Sequence, residues 1–300
     1  MRAVDITDPR RVTGTWGEQV RALVALTKPR IIELLLVTTV PAMVLAAGEW
    51  PGTWLVIATV IGGTLSAGGA NAINNFVDRD IDELMGRTGH RPLPAKRIRP
   101  VVALWLGSTL GLAGFFWLWA TTNLLAGLIA TAALGFYVFV YTLALKRSTP
   151  QNIVIGGAAG AAPALVGWAA VNGSVGLGAW VLFAIIFFWT PPHFWALALR
   201  YRDDYERAGV PMLPVVAGER YTTNQMVLYS VVLVGVTLLL FPAVPMSRFY
   251  LVVAGALGAA FVWGAWQVRR RPATAMRFFR FSITYLALLF LAVAIDPLVF

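Results

Sequence analysis

Long apolar runs separated by short polar breaks fill almost the whole chain. A bilayer core about 30 Å thick is crossed by about 20 apolar residues of helix, each rising 1.5 Å. Nine runs reach that length, at roughly 31–48, 53–76, 101–120, 123–145, 151–171, 177–199, 223–244, 249–268 and 280–298. The breaks alternate in character. Those after the first, third, fifth and seventh runs are short and almost uncharged, reading Glu49-Trp50-Pro51-Gly52, Thr121-Thr122, Val171 to Gly176 and Pro245 to Arg248. The others are basic or mixed. Of the 24 Lys and Arg residues, 23 fall in the basic breaks, their flanks or the first 30 residues, and Arg248 is the exception. Basic residues concentrate on the cytoplasmic side of membrane proteins, so the N-terminus is expected in the cytoplasm and the C-terminus outside. The pattern predicts an all-α polytopic membrane protein with about nine transmembrane helices. A cytoplasmic segment, 1–30, precedes a single membrane domain, 31–300. The end of the seventh run is the least defined, because Pro242 and Pro245 interrupt it.

Composition agrees with this reading and narrows it. The chain is 58% hydrophobic and 13% charged, where a soluble domain carries about 25% charged residues. A net charge of +10 would suggest nucleic acid on a hydrated surface. Here the excess marks orientation, and no nucleic-acid partner is expected. With no cysteine, disulfides, thiolate metal sites and cysteine nucleophiles are excluded. Two histidines, His90 and His193, do not make a histidine-rich metal centre. Asp5, Asp8 and Glu18, with no apolar core before Leu23, argue against a secretory signal in the first 30 residues. Trp16, Val20, Leu23 and Leu26 recur at helical spacing and predict an amphipathic surface segment over about 15–28. The absence of a transit-like start and the use of Arg over Lys point to a bacterial inner membrane.

Chemistry concentrates where two apolar runs meet acidic segments. Asn74, Asp78 and Asp82 are spaced by four, so on a continuing helix they form one stripe with about 6 Å between neighbours. Two carboxylates at that distance repel by about 3 kcal/mol at an effective dielectric of 20. A hard divalent cation would relieve this, and Mg²⁺ commonly binds through one or two carboxylates plus substrate phosphates. The alternative is a solvated helix end whose acids pair with Arg79, Arg87 or Arg91. Asp80 and Glu83 lie off the stripe and read as ordinary surface acids. A second cluster, Asp203-Asp204-Tyr205-Glu206, follows the sixth run on the same side. It fits either a second metal position or local ion pairs with Arg202 and Arg207. Arg87, Arg91, Lys96, Arg97, Lys146 and Arg147 supply cations there, and Arg offers a planar fork suited to phosphate. Gly156-Gly157-Ala158-Ala159-Gly160 fits close helix packing or a groove for a chain. His193 follows Pro191-Pro192, which should bend its helix. A lone intramembrane histidine is usually a hydrogen-bonded structural residue, as Glu33 is expected to be an electrostatic one.

These motifs resemble those of the UbiA-type intramembrane prenyltransferases, a superfamily of nine-helix bundles. Within it the likeness is closer to the heme-farnesylating branch, the heme O synthases. It is carried by Leu26-Thr27-Lys28-Pro29-Arg30; Asp78-Arg79-Asp80-Ile81-Asp82 with Met85, Arg87-Thr88 and Arg91-Pro92-Leu93-Pro94; Tyr141-Thr142 with Leu145-Lys146-Arg147; Asn152 to Gly157; Pro191-Pro192-His193-Phe194-Trp195; and Asp204-Tyr205 with Pro211 to Val216. The chain departs from the wider superfamily in its second motif: Ala208 stands four residues after Asp204 and Arg207 four after Asp203.

The resemblance implies transfer of farnesyl from farnesyl diphosphate to a vinyl carbon of heme b, giving heme O. It implies Asp78 and Asp82 as Mg²⁺ ligands with Asn74 beside them, and Asp204, ahead of Asp203, for a second ion. Arg91, Lys146 and Arg147 would bind diphosphate oxygens, and His193 would contact the heme. Other implied partners are the lipid bilayer and, for the product, a heme A synthase or a terminal oxidase assembly. Two other classes remain: prenylation of an aromatic acid or quinone precursor, and an ion-coupled transporter, which would carry its charges near the bilayer midplane.

Overall fold

The computed structural model describes residues 15–300, except the side chains of residues 30–36, so Glu33 and the acids Asp5 and Asp8 lie outside the described residues. Every regular element among the described residues is helical. The helices are α1 (Trp16–Leu26), α2 (Pro29–Ala47), α3 (Thr53–Leu84), α4 (Pro100–Thr121), α5 (Leu124–Gly135, continued by a π-helical segment Phe136–Leu145), α6 (Asn152–Asn172), α7 (Leu177–Arg200), α8 (Arg202–Arg207), α9 (Leu213–Val216), α10 (Gly218–Leu238), α11 (Leu240–Ala243), α12 (Arg248–Arg270) and α13 (Ala275–Val299). Eight segments are long and apolar enough to cross a bilayer, counting α5 with its π segment and α10 with α11 as single spans. The first expected span falls on α2, whose described apolar portion is Val37–Ala47. The chain is a multi-pass membrane protein.

Two departures from the expected boundaries matter for chemistry. The second run was expected to end near 76, yet α3 continues unbroken to Leu84. Its 32 residues make a rod of about 48 Å, longer than the hydrocarbon core. The acidic stripe is thereby held on a rigid helix, and Met85, extended at φ −101° and ψ 125°, ends it. The seventh run breaks between α10 and α11, just ahead of Pro242.

The start of the chain is tied to α3. Thr15 and Glu18 form a reciprocal cap on α1: the Glu18 carboxylate accepts the Thr15 N–H at 2.7 Å. The free carbonyls at the other end of α1 are met by α3, where Asn71 donates to Thr27 O at 3.0 Å and Asn75 to Leu26 O at 2.9 Å. Leu26 and Ala22 are buried against α3 and the 93–98 segment, whereas Trp16, Val20 and Val24 remain exposed. The expected amphipathic stripe is therefore divided, with Leu26 docking the helix and Trp16 left on an outward apolar face. Lys28 closes α1 in the left-handed region at φ 54°, and Pro29 opens α2.

Small residues set the contact between α3 and α4. A Cβ on Gly69 would lie 2.7 Å from Gly107 O and 2.8 Å from Gly111 N, and one on Gly114 would lie 2.8 Å from Ser66 N. Backbone against backbone at this range is how helices associate where lipid provides no hydrophobic drive. In the 156–160 stretch, Gly156 and Gly157 are packing positions and Gly160 is not. A Cβ on Gly156 would strike the Tyr141 ring at 2.3 Å and one on Gly157 would crowd Thr190, whereas one on Gly160 would meet nothing within 4 Å. The largest apolar core joins α7, α10, α12 and α13 with parts of α2 and α6 around Trp195, Tyr250, Tyr285 and Phe261. At the far end of this core, buried Asp296 on α13 caps α12, accepting from Ser247 N at 2.9 Å and from Tyr250 N at 3.3 Å.

Gly69→Val is expected to destabilise the protein by at least about 1–3 kcal/mol, because the colliding atoms are backbone and cannot turn aside. The check is the thermal midpoint of the detergent-solubilised protein, which should fall by several degrees relative to wild type.

Candidate active site

The polar end of α3 gathers the residues singled out by spacing. Asn74, Asp78 and Asp82 are 3%, 0% and 2% exposed, so the stripe faces protein and not solvent. Asp78 Oδ2 accepts from Asn74 Nδ2 at 2.7 Å and from the Lys146 ammonium. Asn74 also donates to Thr142 Oγ1 at 3.1 Å, and its carbonyl oxygen accepts from Lys28 Nζ at 2.7 Å. Asp82 pairs with Arg91 at 2.8 Å. The π-helical segment contributes to this arrangement: its i to i−5 bond, from Lys146 N–H to Tyr141 O at 2.8 Å, marks a widened turn of the kind found at functional sites. That turn carries Thr142 and Lys146 to α3.

The segment after α3 joins the two acidic clusters. The Arg87 N–H donates to Asp204 Oδ2 at 3.2 Å, its guanidinium reaches the Tyr205 hydroxyl at 3.4 Å, and a Cβ on Gly86 would stand 3.7 Å from both Asp204 oxygens. Asp204 also pairs with Arg207. Tyr205 is buried with Met85, Ile81 and Met212, which fixes α8 against the end of α3. Burial pushes the Tyr205 phenol up, so it stays a neutral hydrogen-bonding group. Arg87, Asp204 and Tyr205 thus form the second side of the site.

Other expected residues go elsewhere. Asp203 is exposed on α8. Arg147 grips Asp80 through both guanidinium nitrogens, at 2.6 and 2.7 Å, and lies 4.0 Å from Asp78 Oδ1. That fork holds its pKa above the ordinary arginine value, and Asp80, expected to be an ordinary surface acid, is its anchor. His193 is stacked between Trp189 and Phe279, with centroids at 4.2 and 4.4 Å, and its Nδ1 meets Ser282 Oγ at 2.6 Å. The Ser282 hydroxyl also donates to Phe279 O at 2.7 Å. His193 is thus held in the α7–α13 core and outside the network of acids. Lys28 is a site residue that spacing did not single out. It stood only within the Leu26–Arg30 block of the resemblance, without a role, because only the turn between α1 and α2 aims it at Asn74.

The balance of charge shows what the site suits. Lys28 is pushed down to about 7, first by burial and then by the positive charges of Arg91 and Lys146. Cations this crowded are stabilised by a multiply charged anion such as a diphosphate. Asp78 Oδ1 is buried with no hydrogen-bond donor, an acceptor of the kind a hard cation satisfies. Among the described residues no three Asp, Glu, His or Cys side chains converge into a ready-made cage, which fits an ion that shares its ligands with substrate phosphate. The acids sit at one end of the long helices, away from the midplane position of a transporter site.

A family model for the UbiA prenyltransferase family matches residues 35–293. The chain belongs to the UbiA prenyltransferase family, the enzymes that move prenyl groups within membranes. Among its relatives are a protein named protoheme IX farnesyltransferase from Frankia alni, 51% identical over 286 residues covering 94% of this chain and 99% of the relative, and one of the same name from Gloeobacter violaceus, 54% identical over 276 residues covering 91% and 90%. Solved structures share the fold at low identity. A digeranylgeranylglyceryl phosphate synthase superposes with a TM-score of 0.76 at 17% identity, covering 93% of this chain and 99% of that one. A UbiA homologue from Archaeoglobus fulgidus, bound to DMAPP and Mg²⁺, superposes with a TM-score of 0.64 at 16% identity, covering 91% and 99%.

The geometry separates two adjacent bases. Lys146→Met should lower kcat/KM for the prenyl diphosphate at least about 100-fold, in the range for losing one preorganised charge in a dry site. Arg147→Gln should cost much less, because its partner is Asp80. Steady-state kinetics of the two purified variants decide this, and equal losses would place Arg147 on the substrate.

Proposed function

We propose that this protein transfers the farnesyl group of farnesyl diphosphate to a vinyl carbon of heme b, giving heme O. The observation that carries the reading is the buried Asp78, with one oxygen unsatisfied, beside Lys28, Arg91 and Lys146. The choice of acceptor is supported by the name shared by relatives about half identical over nearly the whole chain.

In this reading Asp78 and Asp82 would hold one Mg²⁺ and Asp204 a second, with Asn74, itself bonded to Thr142, orienting the Asp78 carboxylate. Bound Mg²⁺ supplies Lewis-acid stabilisation of the charge that develops on the leaving diphosphate. Lys28, Lys146 and Arg91 neutralise its remaining oxygens, and each is already placed by a partner in the site. Arg147 positions the end of the π segment through Asp80. The carbon–oxygen bond of the donor breaks, the vinyl carbon forms the new carbon–carbon bond, and water adds a hydroxyl to the adjacent carbon as one proton leaves. Buried aromatic and aliphatic walls keep water from the allylic cation until the vinyl group attacks. His193, stacked between Trp189 and Phe279, is the candidate contact for the heme. A fifteen-carbon chain favours lipid by on the order of 10 kcal/mol, at about 0.8 kcal/mol per CH₂, so the reaction belongs inside the membrane. In this reading the site faces the cytoplasm from a bacterial inner membrane, an orientation supported by the concentration of Lys and Arg in the loops on that side.

Purified protein given heme b, farnesyl diphosphate and Mg²⁺ should yield a heme heavier by one farnesyl and one hydroxyl group. Asp78→Asn should lose this product while still inserting into the membrane. Mass spectrometry reads the result, and prenylation of 4-hydroxybenzoate with no change in heme mass would sink the heme assignment. The native chain has no cysteine, so Ser148→Cys gives a single label. A membrane-impermeant maleimide should modify it in inverted vesicles and not in intact cells, and the reverse pattern would overturn the orientation.

A further inference from the structure

A cavity of about 160 Å³ lies between α2, α3, α5 and α6, away from the charged network. Its α3 wall includes Asn71, Ala67, Gly63 and Val60. These recur every three or four residues, and the same stripe leads on to Asn74 and Asp78. Tyr137 lines the cavity as well, and its carbonyl accepts from Thr142, the residue that receives Asn74. One stripe of α3 therefore carries both the unsatisfied carboxylate and a wall of the apolar cavity.

Distances along α3 give the cavity a scale. At 1.5 Å per residue, Ala67 lies about 10 Å and Gly63 about 16 Å along α3 from Asn74. Each isoprene unit adds four skeletal bonds of about 1.5 Å, or about 5 Å of extended length. A two-unit chain anchored beside Asn74 thus reaches the level of Ala67, and a three-unit chain reaches Gly63.

The glycines at that level are not required by packing. A Cβ on Gly63, or on Gly160 in the α6 wall, would meet no atom within 4 Å, whereas one on the adjacent Gly62 would strike Leu118 at 2.4 Å. Glycine also weakens a helix relative to residues with side chains. Two unneeded glycines lining the same cavity leave room for something other than protein.

We propose that Gly63 and Gly160 set the length of prenyl chain this enzyme accepts: the space left by their missing side chains is occupied by the third isoprene unit. Val60 marks the limit beyond it. The assignment rests on the prenyl-transfer reading of the site but makes no use of the acceptor.

The test uses the full-length protein in lipid nanodiscs with Mg²⁺. Affinities are measured for unreactive thiolo analogues of geranyl, farnesyl and geranylgeranyl diphosphate, and hemes are weighed after the three natural donors compete. Wild type should prefer farnesyl. Gly63→Leu and Gly160→Leu should each move the farnesyl-to-geranyl ratio at least about tenfold toward geranyl, as losing several methylene contacts requires. Gly63→Ala should give an intermediate shift, and Val60→Ala should raise the share of geranylgeranyl. Gly255→Leu on α12, where a Cβ also meets nothing, should change none of these ratios. The Ala variant and the second position keep the result readable if one Leu variant fails to fold. An unchanged farnesyl preference in the folded Gly63 and Gly160 variants would overturn the proposal. The expected ranking of analogues without any prenylated heme would support the chain-length assignment and remove only the heme acceptor.

Discussion

A carboxylate withdrawn from water costs several kcal/mol unless cations and hydrogen-bond donors surround it, and Asp78 has no solvent exposure. Much of the polar end of the bundle can be understood as a response to that one group. Lys146 and Asn74 serve one of its oxygens, Thr142 and Lys28 hold Asn74 in place, and the π-helical turn carries Thr142 and Lys146 to α3. The second oxygen has no donor. Such an arrangement is poor for stability alone, because a half-satisfied buried network is costlier than an apolar one. It suits a site that acquires its remaining partners with substrate, as local conflicts with folding rules tend to mark function.

The same helix solves three problems on different faces. One face of α3 meets α4 so closely that a Cβ on Gly69 would collide with the Gly107 and Gly111 backbone, and one on Gly114 with the Ser66 backbone. Asn71 and Asn75 receive the last carbonyls of α1 and so fix Lys28 at the mouth of the site. The stripe from Asp78 through Asn74 lines first the charged site and then the apolar cavity. A rod about 48 Å long can do this because its 3.6-residue period presents several faces at once. The charged site and the cavity are therefore held a few turns apart on one rigid element.

Parts of this were legible in the residues alone. Length and apolarity are local properties, so the runs that became α3 to α13 could be read directly, and spacing by four placed Asn74, Asp78 and Asp82 on one face. Hydropathy alone ends the second run near 76, while the spacing by four reads as a continuing helix; α3 does continue to Leu84, its polar stripe facing protein partners. Arg147 and Lys146 could not be told apart, since adjacent bases on a helix end have the same local signature. Their partners, Asp80 and Asp78, differ by two positions on another helix and hence in facing and burial. Asp203 and Asp204 likewise share a local signature; the resemblance alone ranked Asp204 ahead, and it is Asp204 that accepts from the Arg87 N–H.

By itself, the sequence determined that this chain crosses a membrane many times, which residues carry charge at its polar end, and which family its motifs resemble. Those follow from composition, period and pattern, which are written along one dimension. The tertiary structure decided which bases meet which acids, that Lys28 belongs to the site, that His193 is held by Ser282 between two rings, and that Gly160 faces a cavity while Gly156 packs on Tyr141. The physical reason is that each of these depends on elements distant in sequence, whose approach is set by small-residue contacts between helices. No local rule carries that information.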